Sequence, residues 1–320
     1  MPDLLGILSY GTFFLVFASI FALVVLGLNL QWGFTGLFNV GVAAFFGIGA
    51  YTSALLTAPD YPEQLGGLGL PVLVGWIGAI LMSGLAALIV GVAALRLRHD
   101  YLAITTFGIA VSLQLVALNA RVLTGGPFGL QFIPRPLASV IEDNFAWNAV
   151  YLAIVLLILA VTYVALERLV RSPWGRVLRA IREDETAAES LGKRAFLFRL
   201  QSFVIGCMVM GLGGALYAHF VGYIAPEDFL PILTFQLWTM LIVGGSGNNR
   251  GAILGAFLVW ALWSLAGGLL RDLVPAAEQA RAATLQVVLI GVLLAAILVV
   301  RPRGLLGEEL VISQHTGKNT

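Results

Sequence analysis

The sequence predicts an all-α integral membrane protein, a polytopic bundle of about nine transmembrane helices (eight to ten). The first observation is composition: 59% of the 320 residues are hydrophobic and only 11% are charged, against about 25% in a soluble domain. The second is a series of long stretches that contain no Asp, Glu, Lys or Arg. A helix needs about 20 apolar residues to cross the hydrocarbon core of a bilayer. Nine stretches meet or approach that length: 11–31, 34–57, 68–95, 101–120, 145–166, 200–222, 229–247, 251–270 and 283–300.

Backbone groups inside hydrocarbon must be hydrogen-bonded within the protein, so each of these stretches is expected to be helical. Two of them, 34–57 and 229–247, are interrupted by glycines and are predicted to be kinked or re-entrant. We expect residues 1–320 to form a single transmembrane domain with a flexible C-terminal tail at 308–320. Cys207, the only cysteine, excludes an intrachain disulfide.

The distribution of positive charge predicts which side is cytoplasmic. If all nine stretches cross, one side receives 14 of the 18 Lys and Arg residues, eight of them in the loop 168–199. The other side receives Arg121, Arg135, Arg271 and Arg281. Because cytoplasmic loops are enriched in Lys and Arg, loop 168–199 and the C-terminus are predicted to be cytoplasmic. An odd number of crossings then places the N-terminus outside.

Loop 168–199 is predicted to contain an amphipathic helix. Ser172 and Pro173 are typical of a helix N-cap and first helical position, and Gly192 of a helix end. Apolar residues recur between them at three- and four-residue spacing, with charged residues on the remaining face. Such a helix could be a solvated connector or could contact lipid headgroups. Its mixture of acidic and basic side chains favours the surface of a protein partner.

Several blocks of this sequence resemble one family of transporters. The segment TAAESLG, 186–192, resembles the E-A-A-x-x-x-G loop of ABC importer permeases, with Thr186 where that family has Glu. GLFNVGVAAFFGIGAYTSALL, RLRHDYLAITTFGIA, LIVGGSGNNRGAILGAF and RPRGLLG resemble the LivM-type permeases of branched-chain amino-acid ABC transporters. The resemblance covers roughly residues 25 to 307.

This resemblance implies an importer subunit in a bacterial plasma (inner) membrane, with no enzymatic activity and no cofactor of its own. Its implied partners are a homologous second permease, two cytoplasmic ATPase subunits that bind ATP and Mg, and a periplasmic or extracellular substrate-binding protein. The loop would form the coupling helix that docks into the ATPase. The residues expected to couple are Arg179, Arg182, Glu183, Asp184, Glu185, Ala187, Ala188, Glu189 and Gly192.

Polar side chains inside apolar stretches are candidates for the substrate pathway, because each is costly in hydrocarbon and must face protein or water. The candidates are Asn29, Gln31, Thr35, Asn39, Thr105, Gln114 and Asn119. The alternative for each is a hydrogen bond between helices. An apolar, uncharged interior suits a Leu-, Ile- or Val-like substrate. The family also carries urea, amides and other amino acids, and no residue in this sequence decides between these substrates.

Two other classes of protein are less consistent with the sequence. An ion-coupled secondary transporter commonly needs an ionisable residue at mid-membrane, and all nine stretches lack one. No catalytic motif is present. His219, Glu227 and Asp228 are not expected to bind a metal ion, because His219 has no second histidine nearby in sequence. GGSGNNRG, 244–251, resembles a phosphate-binding loop only superficially, since no strand precedes it; its small residues favour close helix packing.

Overall fold

The computed structural model describes residues 4–60, 66–97, 99–138, 140–141, 143–273 and 304–308, with isolated positions between 288 and 300. The described chain is helical, with one isolated β-bridge between Leu130 and Ile224. The α-helices are α1 Leu4–Gln31, α2 Val42–Thr57, α3 Val72–Ala94, α4 His99–Asn119, α5 Arg121–Thr124, α6 Asn144–Arg171, α7 Pro173–Glu183, α8 Glu185–Ser190, α9 Ala195–Val221, α10 Pro231–Gly244 and α11 Asn249–Leu273. Two short 3-10 helices span Gly126–Phe128 and Pro226–Phe229.

Six of the described helices are long and apolar enough to cross a membrane. They contain the segments Leu8–Gln31, Val72–Ala94, Tyr101–Asn119, Asn144–Arg171, Ala195–Val221 and Asn249–Gly268. The stretches predicted at 34–57 and 229–247 contain shorter apolar helices, α2 and α10. The ninth stretch, 283–300, and most of the predicted tail lie outside the described residues. The all-helical class is therefore confirmed, whereas the count of nine stays a prediction.

Helix α1 lies at the centre of the bundle and packs against α6, α9, α10 and α11. From Ala18 to Gln31 its residues are buried, and this part of α1 can be apolar on every face because every face meets another helix. Close approach depends on glycine: a Cβ on Gly27 would lie 2.6 Å from the carbonyl oxygen of Gly206 in α9. Small residues at such crossings bring helix backbones together in membranes.

The chain is not helical between α1 and α2. After Gln31 it turns through Gly36, whose φ of +74° is left-handed, and starts α2 deep in the bundle. There the backbone N–H of Val40 donates to the Thr106 hydroxyl at 3.0 Å, and that of Ala43 donates to the Thr234 hydroxyl at 3.0 Å. Side chains of α4 and α10 thus satisfy backbone donors that α2 leaves unpaired at its start.

The two ends of the bundle differ. We call the end that carries α7 and α8 the loop face, and the other end the opposite face. The opposite face carries the connection from α4 to α6, which pairs with the chain after α9 through Leu130 and Ile224. There Trp147 donates to the Pro136 carbonyl at 2.8 Å. Irregular backbone is therefore hydrogen-bonded at this end.

Candidate functional site: the loop face

The predicted amphipathic helix is two helices. α7 begins at Pro173 as expected, but it ends at Glu183, and α8 begins at Glu185. Asp184 is extended between them, and its carboxylate accepts the backbone N–H of Ala187 at 3.0 Å. The prediction of one continuous helix was wrong because the same Asp that continues the charged face is also a favourable N-cap. Gly192, with φ +78°, follows the end of α8, where a left-handed residue is common.

Arginines fix α7 onto the ends of the long helices. Arg179 donates to the Val170 carbonyl at 2.7 Å, and its guanidinium lies 5.9 Å from the centre of the Phe34 ring. Arg182 donates to the Gly33 carbonyl oxygen, just beyond α1, and forms a 2.8 Å ion pair with Glu308. Both arginines, which the sequence suggested for contact with a partner, are thus engaged within the chain.

An ion pair and a small apolar cluster hold α8. Glu185 pairs with Arg199 of α9 at 3.0 Å, and the exposed fractions of the two side chains are 37% and 9%. Ala188 is buried against Ile181 and Ala195. Both residues were predicted to couple through direct contact with a partner, but they face the chain's own helices. The Glu185–Arg199 ion pair thus joins α8 to the start of α9.

The remaining predicted coupling residues lie on the surface: Glu183, Asp184, Ala187, Glu189 and Gly192 are exposed. Leu191, an apolar residue at helical spacing from Ala188, is 80% exposed. The helical periodicity misplaced it because α8 ends at Ser190, so Leu191 no longer follows the same face. These six residues form a surface, here named the α8 ridge, that combines acidic, small and apolar side chains.

Four of the predicted pathway residues belong to a buried set of hydrogen bonds, named here the Asn29–Asn39 network, in which Gln31 and Asn39 bond to each other while Asn29 and Thr35 bond to other groups. Asn29, Gln31, Thr35 and Asn39 are at most 3% exposed. Asn39 donates its amide to Gln31 at 2.9 Å and accepts the backbone N–H of Gly41 at 2.8 Å. Thr35 donates to the Leu30 carbonyl at 2.9 Å.

The network reaches neighbouring helices. Gln31 donates to the Phe203 carbonyl at 2.8 Å and to the Cys207 sulfur at 3.2 Å, while Asn29 donates to Asn249 at 2.9 Å. Asn249 in turn donates to Glu167 at 2.8 Å. Because the side-chain amides are hydrogen-bonded to groups on neighbouring helices, the network connects α1, α6, α9 and α11.

The other three candidates are on α4, a helix with much of its surface exposed. Asn119 is exposed and donates to the Leu115 carbonyl at 2.7 Å, and Thr105 is half-buried. Gln114 lines a cavity of about 610 Å³ between α2, α3 and α4. Apart from Gln114 and a few hydroxyl groups its walls are apolar: they include Ala43, Ile48, Leu55, Leu81, Met82, Leu113, Val116 and Phe229.

His219 has a structural position near the opposite face. One ring nitrogen lies 2.8 Å from the Ser53 hydroxyl and the other 2.7 Å from the Pro134 carbonyl oxygen. A carbonyl can only accept, so that nitrogen carries the proton and the other accepts from Ser53. Asp228, which accepts from Ala225 N–H at 2.9 Å and from the Tyr217 hydroxyl at 3.2 Å, has its pKa raised by burial.

Comparison with known proteins agrees with this arrangement of apolar helices. The sequence model of one family, described as the permease component of branched-chain amino acid transport systems, matches residues 11–298. The chain belongs to this family. As a branched-chain amino acid permease family member with several apolar helices, it is a multi-pass membrane protein.

Individual relatives point the same way. The chain is 34% identical over 265 residues to the high-affinity branched-chain amino acid transport system permease protein LivM of Escherichia coli, covering 75% of this chain and 60% of that protein. It is 27% identical to a probable LivM of Methanocaldococcus jannaschii, covering 93% and 94% of the two chains. It is 24% identical to the permease protein LivH of Salmonella typhimurium, covering 92% and 93%. No solved structure matches the chain significantly.

Proposed function

We propose that the chain is the transmembrane permease subunit of an ABC importer for branched-chain amino acids. The observation that carries this proposal is the construction of the loop face. Three arginines, Arg179, Arg182 and Arg199, tie α7 and α8 to the chain's own long helices, while the α8 ridge stays open. A force applied to the ridge by a partner would therefore reach the membrane helices.

The chemistry of the ridge favours a protein partner over lipid. Glu183, Asp184 and Glu189 are acidic and exposed, and anionic headgroups would repel them. Leu191 offers one large apolar side chain among them. An apolar anchor surrounded by polar groups is the usual composition of a protein–protein contact. We identify the partner with a cytoplasmic ATPase subunit, which would bind the ATP and Mg that drive transport.

Further partners follow from the relatives. Both LivM and LivH, named as permease proteins of high-affinity branched-chain amino acid transport systems, are similar to this chain. We propose a second permease of this kind beside it, two ATPase subunits below, and a soluble substrate-binding protein on the opposite face. The loop face and the C-terminus would be cytoplasmic, in a bacterial plasma membrane, and residues 1–320 would act as one domain.

The cavity between α2, α3 and α4 is the better candidate for the substrate pathway. Each side-chain nitrogen and oxygen of the Asn29–Asn39 network already has a protein partner, whereas the cavity is mostly apolar and has space. A branched aliphatic side chain loses little on entering apolar walls. Gln114 can offer the polar part of an amino acid one amide.

Purification in mild detergent, with mass spectrometry of what accompanies the tagged chain, tests the proposal. We expect two kinds of subunit, an ATPase and a second permease, and we expect the ATPase alone to be lost when residues 183–192 are scrambled. A control with Phe128→Ala, an exposed residue on the opposite face, should keep the ATPase. A chain that inserts normally and carries solute without any ATPase would contradict the proposal and favour an ion-coupled transporter.

A further inference from the structure

The glycine-rich junction between α10 and α11 is a seat for the segment 304–308. Leu305 and Leu306 donate their backbone N–H groups to the carbonyls of Val243 and Gly244, each at 2.9 Å. A Cβ at Gly251 would lie 2.8 Å from the Leu306 carbonyl oxygen. The absence of side chains at Gly245 and Gly251 thus lets a second piece of backbone lie directly against the junction.

Glu308 stands at the end of this seated segment and reaches across to α7. Its carboxylate pairs with Arg182 at 2.8 Å, and the exposed fractions of the Arg182 and Glu308 side chains are 24% and 33%. The space beside Gly247 is also used, because a Cβ there would lie 3.2 Å from the Glu308 side chain. The carboxylate is therefore placed both by its own segment and by the junction.

Arg182 contacts a second element with the rest of its guanidinium. It donates to the Gly33 carbonyl oxygen, at the turn after α1. That turn is itself tied to the junction, since Asn29 accepts the backbone N–H of Gly247 at 2.9 Å. One side chain of α7 thus touches the end of α1 and, through Glu308, the junction of α10 and α11.

We propose that the Arg182–Glu308 pair is a strut that makes the α10–α11 junction follow movements of α7. Glu308 is then a positioning residue, which acts on the pathway through Arg182 and the seated segment. A half-buried ion pair whose arginine also donates to a backbone carbonyl resists separation more than an exposed pair does. This inference rests on the proposed function, since it assumes that a partner moves α7.

Charge reversal and charge exchange in the reconstituted transporter test the strut. The chain is assembled with its ATPase subunits, second permease and binding protein in vesicles, and two quantities are measured: ATP hydrolysed and amino acid imported. We expect Glu308→Arg to keep the ATPase rate and lower the amino acid imported per ATP by at least about fivefold, the lower end of typical coupling between sites. The double variant Arg182→Glu/Glu308→Arg restores the ion pair but not the hydrogen bond to Gly33, so it should recover part of the lost ratio.

Controls separate the strut from folding and from the proposed function. Asp60→Arg reverses an exposed acidic residue outside the loop face and should leave the ratio unchanged. If Glu308→Arg does not assemble, Glu308→Gln, which keeps the shape and removes the charge, is judged by the same ratio. Unchanged coupling in the assembled Glu308 variant, or a double variant that assembles but is coupled no better than Glu308→Arg alone, would overturn the strut. An original protein that neither binds nor stimulates the ATPase would instead refute the proposed function.

Discussion

Replacement of Leu191 by alanine should weaken the binding of the ATPase without destabilising the chain. Leu191 is 80% exposed just after α8, so its side chain contributes little packing within the subunit. If it is the apolar anchor of the α8 ridge, its burial happens only in the complex. Alanine removes the anchor but leaves the backbone, the Asp184 cap and the Glu185–Arg199 pair unchanged.

The size of the effect follows from the exposed area. Full burial of a leucine side chain contributes about 1.5–3 kcal/mol. With most of Leu191 still exposed in the isolated subunit, its burial in the complex would contribute about 1–2 kcal/mol. Since about 1.4 kcal/mol corresponds to a tenfold change in Kd, we expect Leu191→Ala to weaken ATPase binding roughly tenfold.

The assay compares ATPase binding and thermal unfolding for two leucines. Leu178 of α7 is fully buried, and Leu178→Ala should lower the stability of the subunit by about 2–5 kcal/mol. Leu191→Ala should leave the unfolding temperature unchanged while Kd for the ATPase, measured on the chain in nanodiscs, rises. Unchanged affinity together with a lowered unfolding temperature would refute the reasoning, because it would mean that Leu191 packs within the chain.

Three further predictions concern buried positions. Asn39→Asp keeps the shape of the side chain but places a negative charge in a buried network, so the yield of folded protein in the membrane should fall sharply. Assembly of this variant at the normal level would contradict the closed surroundings of Asn39. Burial raises the pKa of Asp228, so the folded state binds this proton more tightly than the unfolded chain does. Asp228 therefore favours folding at low pH, and this stabilisation is lost as pH rises through the folded pKa. Asp228→Asn should remove that loss from a series of unfolding temperatures between about pH 4 and 7, and identical pH dependence in the two proteins would exclude this role of Asp228. Gly214→Ala would drive a Cβ into the Phe46 carbonyl oxygen and should lower the unfolding temperature. Its control, Gly108→Ala, has open space at that position and should be neutral or stabilising because alanine is the better helix former. Similar effects of the two substitutions would contradict the packing of α2 on α9.

Composition and charge-free length were sufficient to predict the fold class. They indicate membrane helices directly, because a span needs only length and hydrophobicity, and the described helices overlap eight of the nine predicted stretches. Sequence could not give the short length of α2, since residues 34–41, like the helix that follows, contain no charged residue. Part of their backbone is satisfied by distant side chains, Thr106 for the Val40 N–H and Trp238 for the Asn39 carbonyl, which no local pattern reveals.

The loop face was only partly predictable. Pro173 and the charge pattern located the amphipathic segment, but the break at Asp184 depends on whether an acidic side chain caps a new helix or continues the old one. The roles of Arg182 and Arg199 depend on partners 126 and 14 residues away in sequence. Periodicity gives the face on which a residue lies, and only tertiary contact decides whether that face meets a partner or the chain itself.

Crosslinking from the α8 ridge tests the central claim most directly. Cys207 is buried, so a single cysteine introduced at Ala187 can carry a photoreactive label selectively in the purified importer. We expect the label to capture the ATPase subunit and the yield of the crosslinked product to change when ATP binds. A label at Phe128 on the opposite face should capture no ATPase subunit. Labelling of lipid alone from Ala187, in an assembly that contains the ATPase and imports its substrate, would contradict the proposal that the α8 ridge binds the ATPase.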